Sequence, residues 1–195
     1  MTDTKEENPK DDLFEDDESQ LIISRPEIIT KKATIHRITL INSITHDLDD
    51  YKELITILEN VEKLDRVLLR INSGGGSCRT GYHLAHVIKK CVAPVEITVD
   101  YNCSSMAAVL ALCGTSLTLE KGATLMFHNY SAGNMGKGAE LMHAVKQQGE
   151  QLSHLMKYFC SPFLTPAELR RLNNDEDIYV RAWDKDLKKR IKRHF

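Results

Sequence analysis

"DYNCSSMAAVLALCG", from Asp100 to Gly114, decides how this chain is read. The residues leading into it, "VEITVD" (Val95–Asp100), alternate and are rich in β-branched side chains, so they read as a strand. The residues that follow Ser105 are mostly alanine and leucine and read as a helix. Strand and helix are thus expected to meet within a few residues, with a tight turn after Asp100 and the helix starting near Ser105. A serine at a helix start is a candidate N-cap. A serine at a strand-to-helix turn is also where a nucleophile would be presented, because a helix N-terminus favours developing negative charge. The G-x-S-x-G sequence of the nucleophile elbow is absent, and this stretch alone leaves cap and nucleophile both open.

Outward from it, strands and helices alternate. "ATIHRITLIN" (Ala33–Asn42) reads as a strand, and Asp47 or Asp49 could cap a helix running to about Leu64. "RVLLRIN" (Arg66–Asn72) is a short apolar strand entering "SGGG", and a helix follows over Thr80–Lys90. "SLTL" (Ser116–Leu119) and "TLMFHNY" (Thr124–Tyr130) are further strands. A long helix is expected over Ala139–Cys160. "TPAE" (Thr165–Glu168) is a capping box that opens another. "DIYV" (Asp177–Val180) is a short extended piece before a basic end. This alternation argues for an α/β fold with crossover connections.

Composition narrows the function. The 195 residues suggest one main domain, and 42% hydrophobic residues suffice for an ordinary core. A formal net charge of −2 gives no global attraction to nucleic acid or anionic membrane. No apolar run approaches a membrane span. Residues 1–25 are acidic, with nine acids against Lys5 and Lys10 in the first twenty, and are expected to be disordered. Residues 26–195 form the expected folded domain, and the basic end reads as a solvated tail. Five cysteines, odd in number and without a C-x-x-C pair, read as reduced thiols in a cytoplasmic setting.

Four places carry possible chemistry. Ser105, or its neighbour Ser104, could be a nucleophile. The glycines of "INSGGG" (Ile71–Gly76) could expose backbone N–H groups to an oxyanion. His128 could be a base, and an acid among Asp175, Glu176 and Asp177 could orient it. His83 and His86, three apart on a helix, are read as structural. Taken together these supply the parts needed for acyl transfer.

These motifs resemble the ClpP family, the proteolytic subunits of Clp proteases. "INSGGG" is similar to that family's I-N-S-P-G-G. "SSMAAVLALCG" is similar to A-S-M-[GA]-x-x-L-L-x-x-G, and "MFHNYSAGNMG" to M-[IL]-H-Q-P-x-x-G-x-x-G. "NNDEDIYV" resembles E-R-D-x-[FY]-[LM]. The resemblance implies a ClpP/crotonase-like fold of repeated β-β-α units with a protruding handle helix. It implies a catalytic triad of Ser105, His128 and Asp177, with oxyanion donors at Gly76 and Met106. A substrate-binding strip would include Gly75, Ala132, Gly133, Asn134 and Met135. It further implies a homo-oligomer of two stacked seven-membered rings, an AAA+ unfoldase that supplies ATP hydrolysis, and unfolded proteins as substrates. No metal or cofactor is called for. Gly74 and Tyr130 stand where the family has prolines, and Tyr101 where it has glycine. The alternative is a ring subunit that keeps the fold and has lost the chemistry. A crotonase-like acyl-CoA enzyme is a more distant rival.

Overall fold

The computed structural model describes residues 32–130 and 137–195. Its centre is a six-stranded mixed sheet. The strands are β1 (Ile35–Ile41), β2 (Arg66–Ser73), β3 (Val95–Ser104), β4 (Ser116–Leu119), β5 (Thr124–Phe127) and β6 (Ile178–Arg181). They lie in the order β1-β2-β3-β5-β6, and β4 also pairs with β3. All pairs are parallel except β5–β6.

Helices α1 (Lys52–Asn60), α2 (Cys78–Lys90) and α3 (Met106–Ala111) intervene between the first strands. They pack together over one side of the sheet. The strands show why. Val67, Leu69 and Ile71 of β2 are fully buried, as is every second residue in the first part of β3. Burial of one such side chain is worth about 1.5–3 kcal/mol. All six residues of α3 are buried. Its short Ala-rich sequence suits a helix enclosed on every side. The alternate residues of β1 to β3 turn outward, and that face carries cross-strand ion pairs, Arg66–Glu96 and Arg70–Asp100.

Helix α4 (Gly138–Cys160) runs for 23 residues and buries only Phe159 and Cys160; Met142 and Val145 lie exposed. Helix α5 (Pro166–Asn173) starts with the capping box read from the sequence. Thr165 Oγ1 accepts from Glu168 N–H, and Glu168 accepts in return from Thr165 N–H at 2.8 Å. No helix among the described residues is long and apolar enough to cross a membrane. All five cysteines are free thiols.

Several boundaries differ from the sequence reading. The strand read as ending at Asp100 continues to Ser104, so no separate turn intervenes before α3. A register shift between Ile71 and Ser73 lets β3 carry on beside the glycine loop. Strand β5 stops at Phe127, because β6 pairs no further; His128 therefore lies just beyond the strand rather than within it. Helix α1 ends at Asn60 instead of near Leu64. Val61 turns extended to bury its side chain, and Leu64 is left exposed. Neither Asp47 nor Asp49 caps that helix; Asp47 accepts from the Asp49 N–H in the preceding turn.

The basic end is not a solvated tail. It forms α6 (Leu187–His194), anchored along one side. Arg190 donates twice to the Glu168 carboxylate, at 2.7 and 3.0 Å, and once to Asp186 at 2.7 Å. His194 Nε2 bonds the Leu112 carbonyl just after α3, and Arg193 donates to the Phe163 carbonyl. A count of basic residues could not show this, because the anchoring acid lies on another helix.

Candidate active site

Ser105 is the single residue between β3 and α3. Its N–H donates to Met126 O at 2.7 Å, which ties the junction to β5. Its carbonyl begins α3 by accepting from Ala108 and Val109. To serve both elements its backbone adopts φ 57° and ψ −128°, a conformation disfavoured for any residue with a Cβ. The side chain makes no capping hydrogen bond. That answers the cap reading: Ser105 occupies the N-cap position and its hydroxyl is unused there. Ser104 differs, since its Oγ donates to Asn102 Oδ1 at 2.7 Å and its residue is buried.

The glycine loop lies directly beside this junction. Ile44 N–H donates to Gly75 O, and Ser77 N–H donates to Ile44 O. Residues 75 and 77 therefore face Ile44 on the β1 side. By strand alternation the N–H of Gly76 turns to the β3 side, where Ser105 stands. The geometry requires glycine at both positions. Gly75 has φ +90°, and a Cβ there would lie 2.6 Å from Ser105 Cβ and from Ser104 O. Gly76 has φ +144°, and a Cβ there would collide with the Ile44 carbonyl. The Met106 N–H, first in α3, has no intrahelical partner.

His128 and Asp177 are the residues just beyond the last pair of the antiparallel β5–β6 ladder, Phe127 opposite Ile178. They do not touch in this structure: His128 lines the cleft beside Ser105, and Asp177 is exposed and is not among the residues that line it. Asp177 accepts a long bond, 3.5 Å, from the Tyr179 hydroxyl, and Asn129 donates to Asp175 at 2.8 Å. No hydrogen bond links Ser105, His128 and Asp177 among the described residues. Hydrogen bonds of this kind are often long or misaligned before substrate binds.

Ser105 and His128 share one cleft. It is walled by Cys78 and Tyr82 of α2, Val109 of α3 and Met156 of α4, with Asn173 at the end of α5. Tyr130 also lines it and lies against α4 where Gly149 leaves room; a Cβ there would be 2.7 Å from the Tyr130 hydroxyl. Burial pushes the Cys78 thiol and the Tyr82 phenol up, so both are neutral at ordinary pH. The sequence reading did not single out Cys78 or Tyr82. Their spacing of four on α2, directly after the glycine loop, was the available signal. Of the substrate strip, Gly75 lies against Ser105, while Ala132, Gly133, Asn134 and Met135 fall outside the described residues. His86 is engaged structurally, with Nδ1 bonding the Tyr82 carbonyl and its ring edge-on to Phe159.

A hydroxyl on a strained strand–helix junction and an imidazole in the same cleft are parts that acyl transfer uses, while the Asp177 carboxylate lies outside that cleft. In comparison with known proteins, a family model described as Clp protease matches residues 24–184, most of the chain. No curated protein matches it.

Proposed function

The chain belongs to the Clp protease family, and from that premise we propose that it is a serine endopeptidase acting on unfolded proteins. Ser105 Oγ attacks the peptide carbonyl while His128 takes its proton, and a C–O bond forms. The tetrahedral oxyanion is held by the N–H groups of Gly76 and Met106; losing one such donor typically costs about 3–4 kcal/mol of barrier. The C–N bond then breaks as His128 passes the proton to the leaving amine. Water hydrolyses the acyl-enzyme by the same route. Asp177 orients the imidazole and stabilises its charged form. The substrate lies extended beside Gly75 and the 132–135 strip, as an added strand.

The observation that carries this reading is the strained Ser105 junction with a hydroxyl that caps nothing. The long, largely exposed α4 supports assembly into stacked rings, with an AAA+ partner supplying unfolded chains. Five free thiols support a reducing compartment such as the cytoplasm. The unlinked triad in the lone chain favours a second reading, an inactive ring subunit. Labelling with a fluorophosphonate, with Ser105→Ala as control and the mass of the assembly measured alongside, separates the two. Labelling at Ser105 supports the peptidase; an assembled ring that never labels supports the inactive subunit.

A further inference from the structure

His194 ends α6 with its ring turned onto the end of α3. Its Nε2 lies 2.8 Å from the carbonyl of Leu112, the first residue after α3. A carbonyl only accepts, so Nε2 carries the proton and Nδ1 keeps its lone pair. That Nδ1 is sealed from solvent without a hydrogen-bond partner, the one buried side-chain nitrogen or oxygen of which this holds among the described residues. The rings of Phe163 and Phe195 stand nearly perpendicular to the imidazole, with centroids at 6.0 and 4.7 Å.

The site suits the neutral ring alone. A second proton must go on Nδ1, where it becomes an unpaired donor and a charge shut away from water. Among the described residues, the charges that act on the ring are both cations, Lys89 at the end of α2 and Arg193 on its own helix. Cys113, next to Leu112, is kept neutral by burial, and the Glu168 carboxylate is engaged by Arg190. Burial therefore lowers the imidazole from its ordinary value. The Leu112 carbonyl opposes that shift, and the two cations add to it. The residue as a whole is only half-buried, so a charged ring has a short way out to solvent. Its departure frees the Leu112 carbonyl and unpins the last turn of α6.

Leu112 closes α3, and Ser105 opens it, with its carbonyl accepting from Ala108 and Val109. All six residues of the helix are buried, so it links its two ends as one packed unit. We propose that His194 is a positioning residue for Ser105: neutral, it clamps the far end of α3, and protonated it lets go, so that the serine junction loosens in acid. The clamp itself is independent of the chemistry, while its effect on reactivity rests on the peptidase reading. A clamp made only by the neutral ring is complete above the ordinary histidine value and is lost as pH falls below about 6.5.

His194→Gln supplies the test, because a glutamine Nε2 can donate to Leu112 and does not titrate. Amide hydrogen exchange is measured on the full chain at about pH 7.5 and about pH 5, corrected for the intrinsic rate at each pH. Over residues 105–112 and 187–194, the wild type should lose about 5- to 10-fold of its protection at the lower pH, the worth of one hydrogen bond. His194→Gln should change by less than about twofold, and His194→Ala should be loose at both. The rate of fluorophosphonate labelling at Ser105 is read alongside as wild type over His194→Gln, so that titration of His128 cancels. That ratio should fall with pH by a similar factor. One pH profile shared by wild type and His194→Gln, a glutamine variant as loose as the alanine one at neutral pH, or loosening confined to α6 with a flat labelling ratio overturns the proposal. Failure of both proteins to label at any pH would instead defeat the peptidase reading and leave exchange over residues 105–112 to decide the clamp.

Discussion

Arg190→Ala removes the link that fastens α6 to the capping box of α5. Arg190 and Glu168 have side chains only 13% and 14% exposed, and the guanidinium makes a bidentate contact at 2.7 and 3.0 Å. Deleting one partner of a buried pair typically costs 3–5 kcal/mol. This pair keeps some solvent and the carboxylate keeps its bonds to Thr165, so about 3 kcal/mol is expected. For a chain of this size, that lowers Tm by about 6–12 °C. Burial alone would raise the Glu168 carboxyl; Arg190, then the Thr165 amide and hydroxyl, overcome it and hold the group at about 2. A carboxyl held below its unfolded value stabilises the fold fully above that value. The contribution is lost as pH falls from about 4.5 toward 2. The wild-type urea midpoint should therefore drop across that window, and the Arg190→Ala midpoint should drop less. In a Glu168→Gln background, which keeps a capping side chain, Arg190→Ala should cost about 2 kcal/mol less than in the wild type. All melts need one fixed chain concentration, because association adds to apparent stability. A Tm within about 2 °C of wild type, additive single and double substitutions, or an unchanged acid limb would refute the reasoning.

Gly75→Ala sets a methyl 2.6 Å from Ser105 Cβ at a φ of +90°. Displacement of the nucleophile should cut fluorophosphonate labelling by about 100-fold while circular dichroism still reports a folded chain. Phe127→Ala opens a cavity under the end of β5, where the ring is fully buried and packs against Phe163 at 6.1 Å. It should cost about 3–5 kcal/mol in urea denaturation. Burial raises the thiols of Cys103, Cys113 and Cys160, that of Cys113 to about 12. At neutral pH Cys91 should react fastest with a thiol reagent, Cys78 more slowly because burial raises its thiol too, and all five only after denaturation; fast reaction of Cys103, Cys113 or Cys160 in the native protein would contradict the packing.

The strands were legible because their alternation is local. "VEITVD" and "RVLLRIN" announce a buried face within seven residues, and both lie in the sheet where expected. Their ends were less legible, because a strand stops where its neighbour stops pairing. Nothing in "CSSM" states that β5 continues the ladder with Ser104, and nothing in "FHNY" states that β6 withdraws after Phe127. The choice of Ser105 over Ser104 came from resemblance. The physical distinction, a free hydroxyl against one bonded to Asn102, depends on the backbone twist and is visible only in three dimensions. The anchoring of α6 was hidden for a related reason. Arg190 and Glu168 lie 22 positions apart, and neither helix alone shows that their faces meet.

The twist at Ser105 also bears on how such a chain could decay. Glycine would occupy the same backbone angles without the strain of about 1–3 kcal/mol that a Cβ incurs there. Exchange would forfeit a hydroxyl and nothing in the packing. A lineage released from catalysis would drift readily toward glycine at this site and become sturdier as it did so.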